Sequence, residues 1–158
     1  MSSEFKKNVQ KMIREHSSEE CSNKSTAHAI DVISSYLEAV GKKEDVYIFA
    51  NQLKGDVYGH PDIIKATRSA LKRGVVFHIA IQKHQVDAGG LLFYYTVINK
   101  EYPNNTCEVD KGRNFSENFM VAGNGMYRIE YEKNERKARF SANRPDIVKR
   151  LTAVFNSL

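Results

Sequence analysis

The sequence predicts an α/β fold in which a mixed sheet combines a parallel βαβ core with a C-terminal antiparallel meander and carries helices on both faces. Two short apolar runs, Val46–Ala50 and Val75–Ile81, are typical of strands buried on both faces, and a helical pattern separates them. The sequence Gly123-Asn124-Gly125 lies between two strand-like segments and is typical of a hairpin turn. A parallel pair followed by an antiparallel hairpin therefore forms the expected sheet.

The N-terminal part predicts a short amphipathic helix followed by a linker. Four apolar residues recur there at helical spacing: Phe5, Val9, Met12 and Ile13. The segment from His16 to Lys24 is polar and has no hydrophobic period, which indicates a linker or loop. We therefore divide the 158 residues into an N-terminal helix and linker, 1–22, and one α/β domain, 23–158.

The central part supplies the βαβ unit. A helix begins at Ser25 or Thr26, since either residue can cap it, and a second helix begins at Pro61. Gly74 ends the second helix just before the second strand, which predicts a right-handed parallel crossover. Residues 91–100 fit either a helix or a strand, because their spacing is helical while their aromatic and β-branched content favours a strand. A short strand is expected at 106–110.

The last third predicts antiparallel strands and a final helix. Phe119–Ala122 is a strand, and Met126–Glu132 alternates apolar and charged residues as a half-exposed strand does. A shorter strand follows at 136–142, and Pro145 begins the last helix.

Composition indicates an ordinary globular protein with a basic tilt. Hydrophobic residues make up 41% of the chain. It contains 24 Lys and Arg residues against 19 Asp and Glu residues, and its pI is about 9.1. These values exclude a disordered chain, and nine Gly with three Pro exclude a collagen-like one. No run approaches the ~20 apolar residues that span a bilayer. The first seven residues lack an apolar signal-peptide core, so we expect a cytoplasmic protein without membrane contact.

Three segments, in this order, resemble one half of the phospholipase D superfamily. The first, Val46–Ile81, is strand, loop, helix, then Lys72-Arg73-Gly74-Val75 leading into a strand. The second, Asn118–Gly123, is similar to the strand that carries the family's His-x-Lys motif. The third contains Met126–Glu130 and Arg139–Asn143 before a terminal helix, and it is similar to the hairpin and Asn-bearing strand after that motif. The resemblance spans residues ~25–158 and implies one half of a phospholipase D-like fold.

The resemblance implies a degenerate motif. The family's chemistry uses a His nucleophile, a second His that protonates the leaving oxygen, and a Lys beside each. In this chain Ser116 stands in the His position, Asn118 in the Lys position and Gly123 in the Asp position, and Asn143 matches the family's Asn. A shift of two residues places Asn118 and Met120 in the His and Lys positions instead. No His follows His84, so we expect a pseudoenzyme without catalytic residues.

We expect Ser116, Asn118 and Asn143 to share the former active-site cleft. Two interpretations of that cleft stay open: it still holds a phosphate without cutting it, or it is filled by water or a partner. Should the chain be an enzyme after all, the candidates follow the parallel strands: Asp56, His60, His84 and Asp87. No His spacing fits zinc, and we expect neither a metal nor a cofactor.

Basic residues are frequent in the last third of the sequence, and they indicate nucleic acid as the ligand. The candidates for nucleic-acid contact are Arg128, Lys137, Arg139 and Arg144. A solvated face with cross-strand ion pairs is the ordinary alternative for such a cluster. The favoured function is a non-catalytic binding or regulatory module for nucleic acid. A protein-binding inhibitor or scaffold is the alternative, and an active phosphodiesterase or nuclease is the least favoured. We also expect a two-fold homodimer, with contacts near Phe119 and Asn143.

Overall fold

A computed structural model describes residues 3–84, 87–132 and 136–158. These residues form a seven-stranded mixed sheet and five helices, which confirms the predicted fold class. The helices are α1 (Glu4–Arg14), α2 (Thr26–Ala39), α3 (Pro61–Lys72), α4 (Ala88–Val97) and α5 (Pro145–Ser157). The strands are β1 (Cys21–Asn23), β2 (Asp45–Ala50), β3 (Val76–Ile81), β4 (Thr106–Glu108), β5 (Asn118–Ala122), β6 (Met126–Glu132) and β7 (Lys137–Ser141).

The sheet is parallel on one side and antiparallel on the other. Its strand order is β1-β7-β6-β5-β2-β3-β4, with β2, β3 and β4 parallel and the remaining pairs antiparallel. Gly123 has φ +63 in the β5–β6 turn, a conformation that favours glycine, and this turn is the predicted hairpin. The parallel crossover from β2 to β3 through α3 is also confirmed.

Two apolar layers hold the helices on the sheet. In one layer, helices α1, α2, α3 and α4 pack against sheet side chains such as Ile48, Phe77 and Met120. The other joins α5 to Phe49 and Phe119 on the opposite face. We call these the inner and the outer face of the sheet. Because Phe119 is buried within the chain, the apolar area on which we based the homodimer contact is already covered. The homodimer itself stays a prediction.

The ends of the helices follow local side-chain chemistry. The Ser25 hydroxyl accepts a hydrogen bond from the backbone N–H of His28, so Ser25 is the cap of α2. Asp87 caps α4 by accepting from the N–H groups of Gly89 and Gly90, and 91–97 are helical, which decides between the two alternatives for that segment.

The segment predicted to be a linker contains a strand. Cys21–Asn23 is β1 and pairs antiparallel with Phe140, Arg139 and Ala138 of β7. A polar three-residue strand has no hydrophobic period, so its pairing with a distant strand determines its structure. The domain boundary between residues 22 and 23 stays a prediction. In the part of the chain that is described, no helix has the length and apolar character to cross a membrane.

Candidate functional site

Asn118 begins β5 beside the carboxyl end of β2. Its side-chain oxygen accepts from the backbone N–H of Asn51, at 3.0 Å, and its amide nitrogen donates to Glu130 Oε1 at 3.3 Å. Glu130 lies directly opposite on β6. The Asn118 side chain is therefore fixed at both ends by hydrogen bonds within the chain.

Glu130 is the centre of a buried ionic network. The residue is 2% exposed, and its carboxylate accepts from Arg128 Nη1 at 3.0 Å and from Arg136 Nη1 at 3.3 Å, besides Asn118. Arg136 Nη2 donates in turn to Asp56 Oδ1 at 2.8 Å, across to the loop between β2 and α3. We call Asp56, Arg128, Glu130 and Arg136 the inner network.

Asn23 attaches this network to the edge of the sheet. Its side-chain oxygen accepts from Arg128 Nε at 3.3 Å, and its amide donates to the backbone carbonyl of Arg136 at 3.1 Å. Ions buried in this way lose several kcal/mol of solvation each, which close pairing has to offset. The network therefore holds β1, β6 and β7 together only while its buried charges, Arg128, Glu130 and Arg136, remain paired.

The inner network leaves little room for a ligand. The cavity beside it has a volume of about 20 Å³, enough for a single water and too small for a phosphate group. Tyr58 lines the cavity, and burial raises the pKa of its phenol to about 12, so the phenol stays neutral. Arg128 Nη2 is buried there without a partner among the described residues, which is the kind of group that an ordered water satisfies.

The outer face beside this end of the sheet is open. Arg113, Ser116 and Tyr131 line a pocket of about 490 Å³ there. Tyr131 is 50% exposed, and the guanidinium of Arg139 lies 5.9 Å from the centre of its ring. Arg113 is exposed and has no ion-pair partner within the described residues. We call Arg113, Tyr131 and Arg139 the outer patch.

Nuc and TrmBL2 are among the solved structures that share this architecture. Nuc from Salmonella typhimurium, a phospholipase D family member, matches with a TM-score of 0.60 at 16% identity, over 88% of this chain and 93% of Nuc. The chain has a phospholipase D-like fold. TrmBL2, an archaeal chromatin protein whose structure shows a novel mode of DNA binding, matches with a TM-score of 0.64 at 12% identity. That match covers 96% of this chain and 58% of TrmBL2. No protein-family model and no curated protein sequence matches the chain.

The phospholipase D-like fold separates the four motif positions into two groups. Asn118 lies at the carboxyl end of β2, and Ser116, two residues earlier, is exposed and donates to Glu117. Gly123 lies at the opposite end of β5, in the hairpin turn. Asn143 lies at that same distant end, because β7 runs antiparallel to β6 and Ser141 pairs with Tyr127.

The expectation that Ser116, Asn118 and Asn143 share one cleft is therefore wrong. Asn118 lines the inner cavity and Ser116 lines the outer pocket, while the other end of the sheet holds Asn143. Its amide donates to the backbone carbonyl of His16 at 3.2 Å, and the backbone N–H of Arg144 donates to Gly125 at 2.8 Å. Asn143 therefore helps to fasten the end of α1 to the hairpin turn.

The four basic candidates also fall into different environments. Arg128 is buried in the inner network and is not on the surface. Arg144 makes two hydrogen bonds to Asp146, at 2.9 and 3.0 Å, and this guanidinium lowers the pKa of the Asp146 carboxyl to about 2. Lys137 lies opposite Glu132 across the strand pair. Arg139 is 57% exposed, which makes it the candidate best placed for a ligand, although a phosphate there would compete with Glu20 at 3.9 Å.

Sequence reasoning missed Tyr131 and Arg113. The alternation in β6 predicted that its charged residues face solvent, but Arg128 and Glu130 point inward and Tyr131 is the exposed member. An exposed aromatic residue near basic residues indicates a site where bases can stack. The sequence does place Tyr131 shortly before Arg139, and this proximity was the signal that could have identified the site.

The four residues proposed as alternative catalytic groups have structural partners. His60 Nδ1 accepts from the backbone N–H of Asp62 and caps α3, while Asp87 caps α4. Asp56 pairs with Arg136, and the exposed His84 lies 3.8 Å from Asp110. Throughout residues 3–84, 87–132 and 136–158, no group of three His, Cys, Asp or Glu side chains could hold a metal ion.

Proposed function

We propose that this chain is a non-catalytic phospholipase D-like module that binds single-stranded nucleic acid through the outer patch. The observation that carries this proposal is the exposed Tyr131 ring with the Arg139 guanidinium beside it, at the rim of an open pocket that Arg113 also lines. A base can stack on Tyr131 while the two guanidinium groups contact neighbouring phosphates.

The absence of catalysis is proposed from the residues at the motif positions and from the contacts of the inner network. Phosphodiester cleavage of the resembled kind needs a His nucleophile, and Asn118 and Ser116 stand in the motif positions. The Glu130 carboxylate accepts from three donors, and the adjoining cavity has room for one water. These contacts favour a structural role for the network.

Nucleic acid is favoured as the ligand by the chemistry of the outer patch and by the net charge of +5. The DNA binding of TrmBL2, which shares the fold, supports the same class of ligand. Stacking on a single aromatic ring suits splayed bases, which single strands offer and duplexes do not.

The test is fluorescence anisotropy with a labelled oligo(dT) of about 12 nucleotides, within the usual range of site sizes. Tyr131→Ala should weaken binding about tenfold, since stacking of a base contributes ~1–3 kcal/mol. Tyr95→Ala is the matched control, because Tyr95 is also exposed but lies on α4. Unchanged binding by Tyr131→Ala, or an equal loss in both variants, would contradict the proposed site.

Catalysis is tested separately with bis-p-nitrophenyl phosphate and with single- and double-stranded nucleic acid. We expect no turnover by the purified chain. Metal-independent cleavage that follows the protein through purification would show that it is an active phosphodiesterase.

A further inference from the structure

Helix α4 exposes an apolar surface. Its sequence, AGGLLFYYTV, contains no charged residue, while Phe93 and Val97 are buried in the inner apolar layer. Leu92 and Tyr95 face solvent, with Tyr95 65% exposed. A helix that is apolar on all sides is normally covered on all sides, so this surface lacks its partner.

A groove of about 580 Å³ separates this surface from α3. Leu71, Leu92 and Tyr102 contribute apolar lining. Arg68 and Lys72 line the same groove from α3, one helical turn apart. The groove thus combines an apolar wall on α4 with a cationic wall on α3.

The cationic wall is unneutralised. Neither Arg68 nor Lys72 has an acidic partner among the described residues, and both are exposed. Glu101 is the single acid that lines the groove in the described part of the chain. The groove therefore carries a net positive charge, which complements an acidic ligand.

We propose that the α3–α4 groove binds a short acidic segment of a partner protein, one that carries apolar or aromatic side chains. The apolar side chains pack on Leu92 and Tyr95, and the carboxylates pair with Arg68 and Lys72. This binding mode is separate from the outer patch, so it does not depend on the proposed nucleic-acid function.

Two other occupants fit the groove less well. A nucleic-acid backbone carries a charge at every nucleotide, whereas the groove sets the two cations Arg68 and Lys72 against Glu101 and is lined by the aliphatic Leu71 and Leu92. Tyr95 and Tyr102 do offer rings on which bases could stack, so competition by oligo(dT) decides between these two occupants. In a two-fold dimer the same net positive patch would meet itself, which brings like charges together.

The test uses a synthetic array of peptides about 12 residues long, in which Glu residues and Leu or Phe residues occupy every spacing on a Ser background. A second array replaces each Glu with Lys. The purified full chain is applied to both arrays, and the strongest binder is measured in solution by anisotropy. We expect binding in the micromolar range to acidic members and none to their Lys counterparts.

Variants then locate the site. Arg68→Glu with Lys72→Glu, and separately Tyr95→Ala, should each raise the dissociation constant about tenfold or more. Tyr131→Ala and Arg139→Gln are the matched controls and should leave peptide binding unchanged. All of these positions are exposed, and thermal melting checks that each variant folds; Arg68→Gln with Lys72→Gln replaces the reversed pair if that pair unfolds.

Three results would overturn the proposal. The first is that acidic peptides bind no better than their Lys counterparts. The second is that oligo(dT) displaces the peptide and needs Tyr95, which would make the groove a nucleic-acid site. The third is a dimer in light scattering that Tyr95→Arg converts to a monomer, which would make it a contact between copies. Loss of oligo(dT) binding in Tyr131→Ala would support the outer patch as the nucleic-acid site and would have no bearing on the groove.

Discussion

Strands β6 and β7 carry charged residues on both of their faces, and those on the inner face are buried while Arg139 on the outer face is exposed. On the inner face Arg128 and Glu130 are buried and bonded to each other. On the outer face Arg139 is exposed beside Tyr131, beyond the part of the sheet that α5 covers. Because alternate residues of a strand point to opposite faces, charged residues that are close in the sequence can be separated by the sheet. Those on one face then stabilise the fold, while those on the other face remain available to a ligand.

The largest effect is expected from Glu130→Gln. The change leaves Arg128 and Arg136 with an uncompensated positive charge in a buried site, so we expect the free energy of unfolding to fall by about 3–5 kcal/mol. Urea denaturation measures it. Glu108→Gln is the control, because Glu108 forms an exposed ion pair with Lys111 and should change stability by less than about 1 kcal/mol. Equal effects would mean that the inner network is not structural.

The next effect concerns Tyr36, which joins α2 to the inner face. Its fully buried hydroxyl lies 2.7 and 2.9 Å from the backbone carbonyl oxygens of Tyr127 and Ser141, which share its one proton. Tyr36→Phe should lower the free energy of unfolding at neutral pH by about 1–3 kcal/mol, since two buried acceptors lose a donor. Denaturation of Tyr95→Phe provides the comparison at an exposed position.

Alkaline pH should weaken the fold through the same residue. Burial raises the pKa of Tyr36 well above its usual value and that of Tyr58 to about 12. Between about pH 10, where an unfolded Tyr titrates, and about pH 12, the folded chain keeps protons that the unfolded chain has lost. Stability therefore falls as the pH rises through that window. Stability that is constant from pH 9 to about 12 would contradict the burial of these phenols.

Features of the fold that depend on neighbouring residues were predictable from the sequence. The hairpin at Gly123, a helix start at Ser25 or Thr26 and the βαβ unit follow from turn, capping and hydrophobic patterns within a few residues. Strand β1 was not predictable, because a Cys-Ser-Asn segment becomes a strand only by pairing with β7 more than 100 residues away.

The inward direction of Arg128 and Glu130 was missed for a related reason. Alternation in a strand gives a period of two, but it does not say which face is covered. Charged residues normally mark the solvent face, and here the chain buries them because Asn23 and Arg136 arrive from other segments to complete their hydrogen bonds. Tyr131 and Arg113 meet at one pocket only in the folded chain.

A smaller effect is expected at the edge of the inner network. Asp56 is about half exposed and pairs with Arg136. Asp56→Asn should lower the free energy of unfolding by no more than about 1 kcal/mol, because solvent screens the pair. A loss as large as that of Glu130→Gln would show that the network is sealed as one buried unit up to the loop before α3.

The most direct test of the account is the salt dependence of oligo(dT) binding. Each phosphate contact on a single strand contributes a slope of about −0.7 in log affinity against log salt concentration. We expect Arg113→Gln with Arg139→Gln to make the wild-type slope shallower by about 1.4, which corresponds to two contacts. Arg68→Gln with Lys72→Gln, which removes two exposed cations from α3, should leave the slope unchanged. A slope that the outer-patch variant leaves unchanged would contradict the claim that the outer face binds nucleic acid.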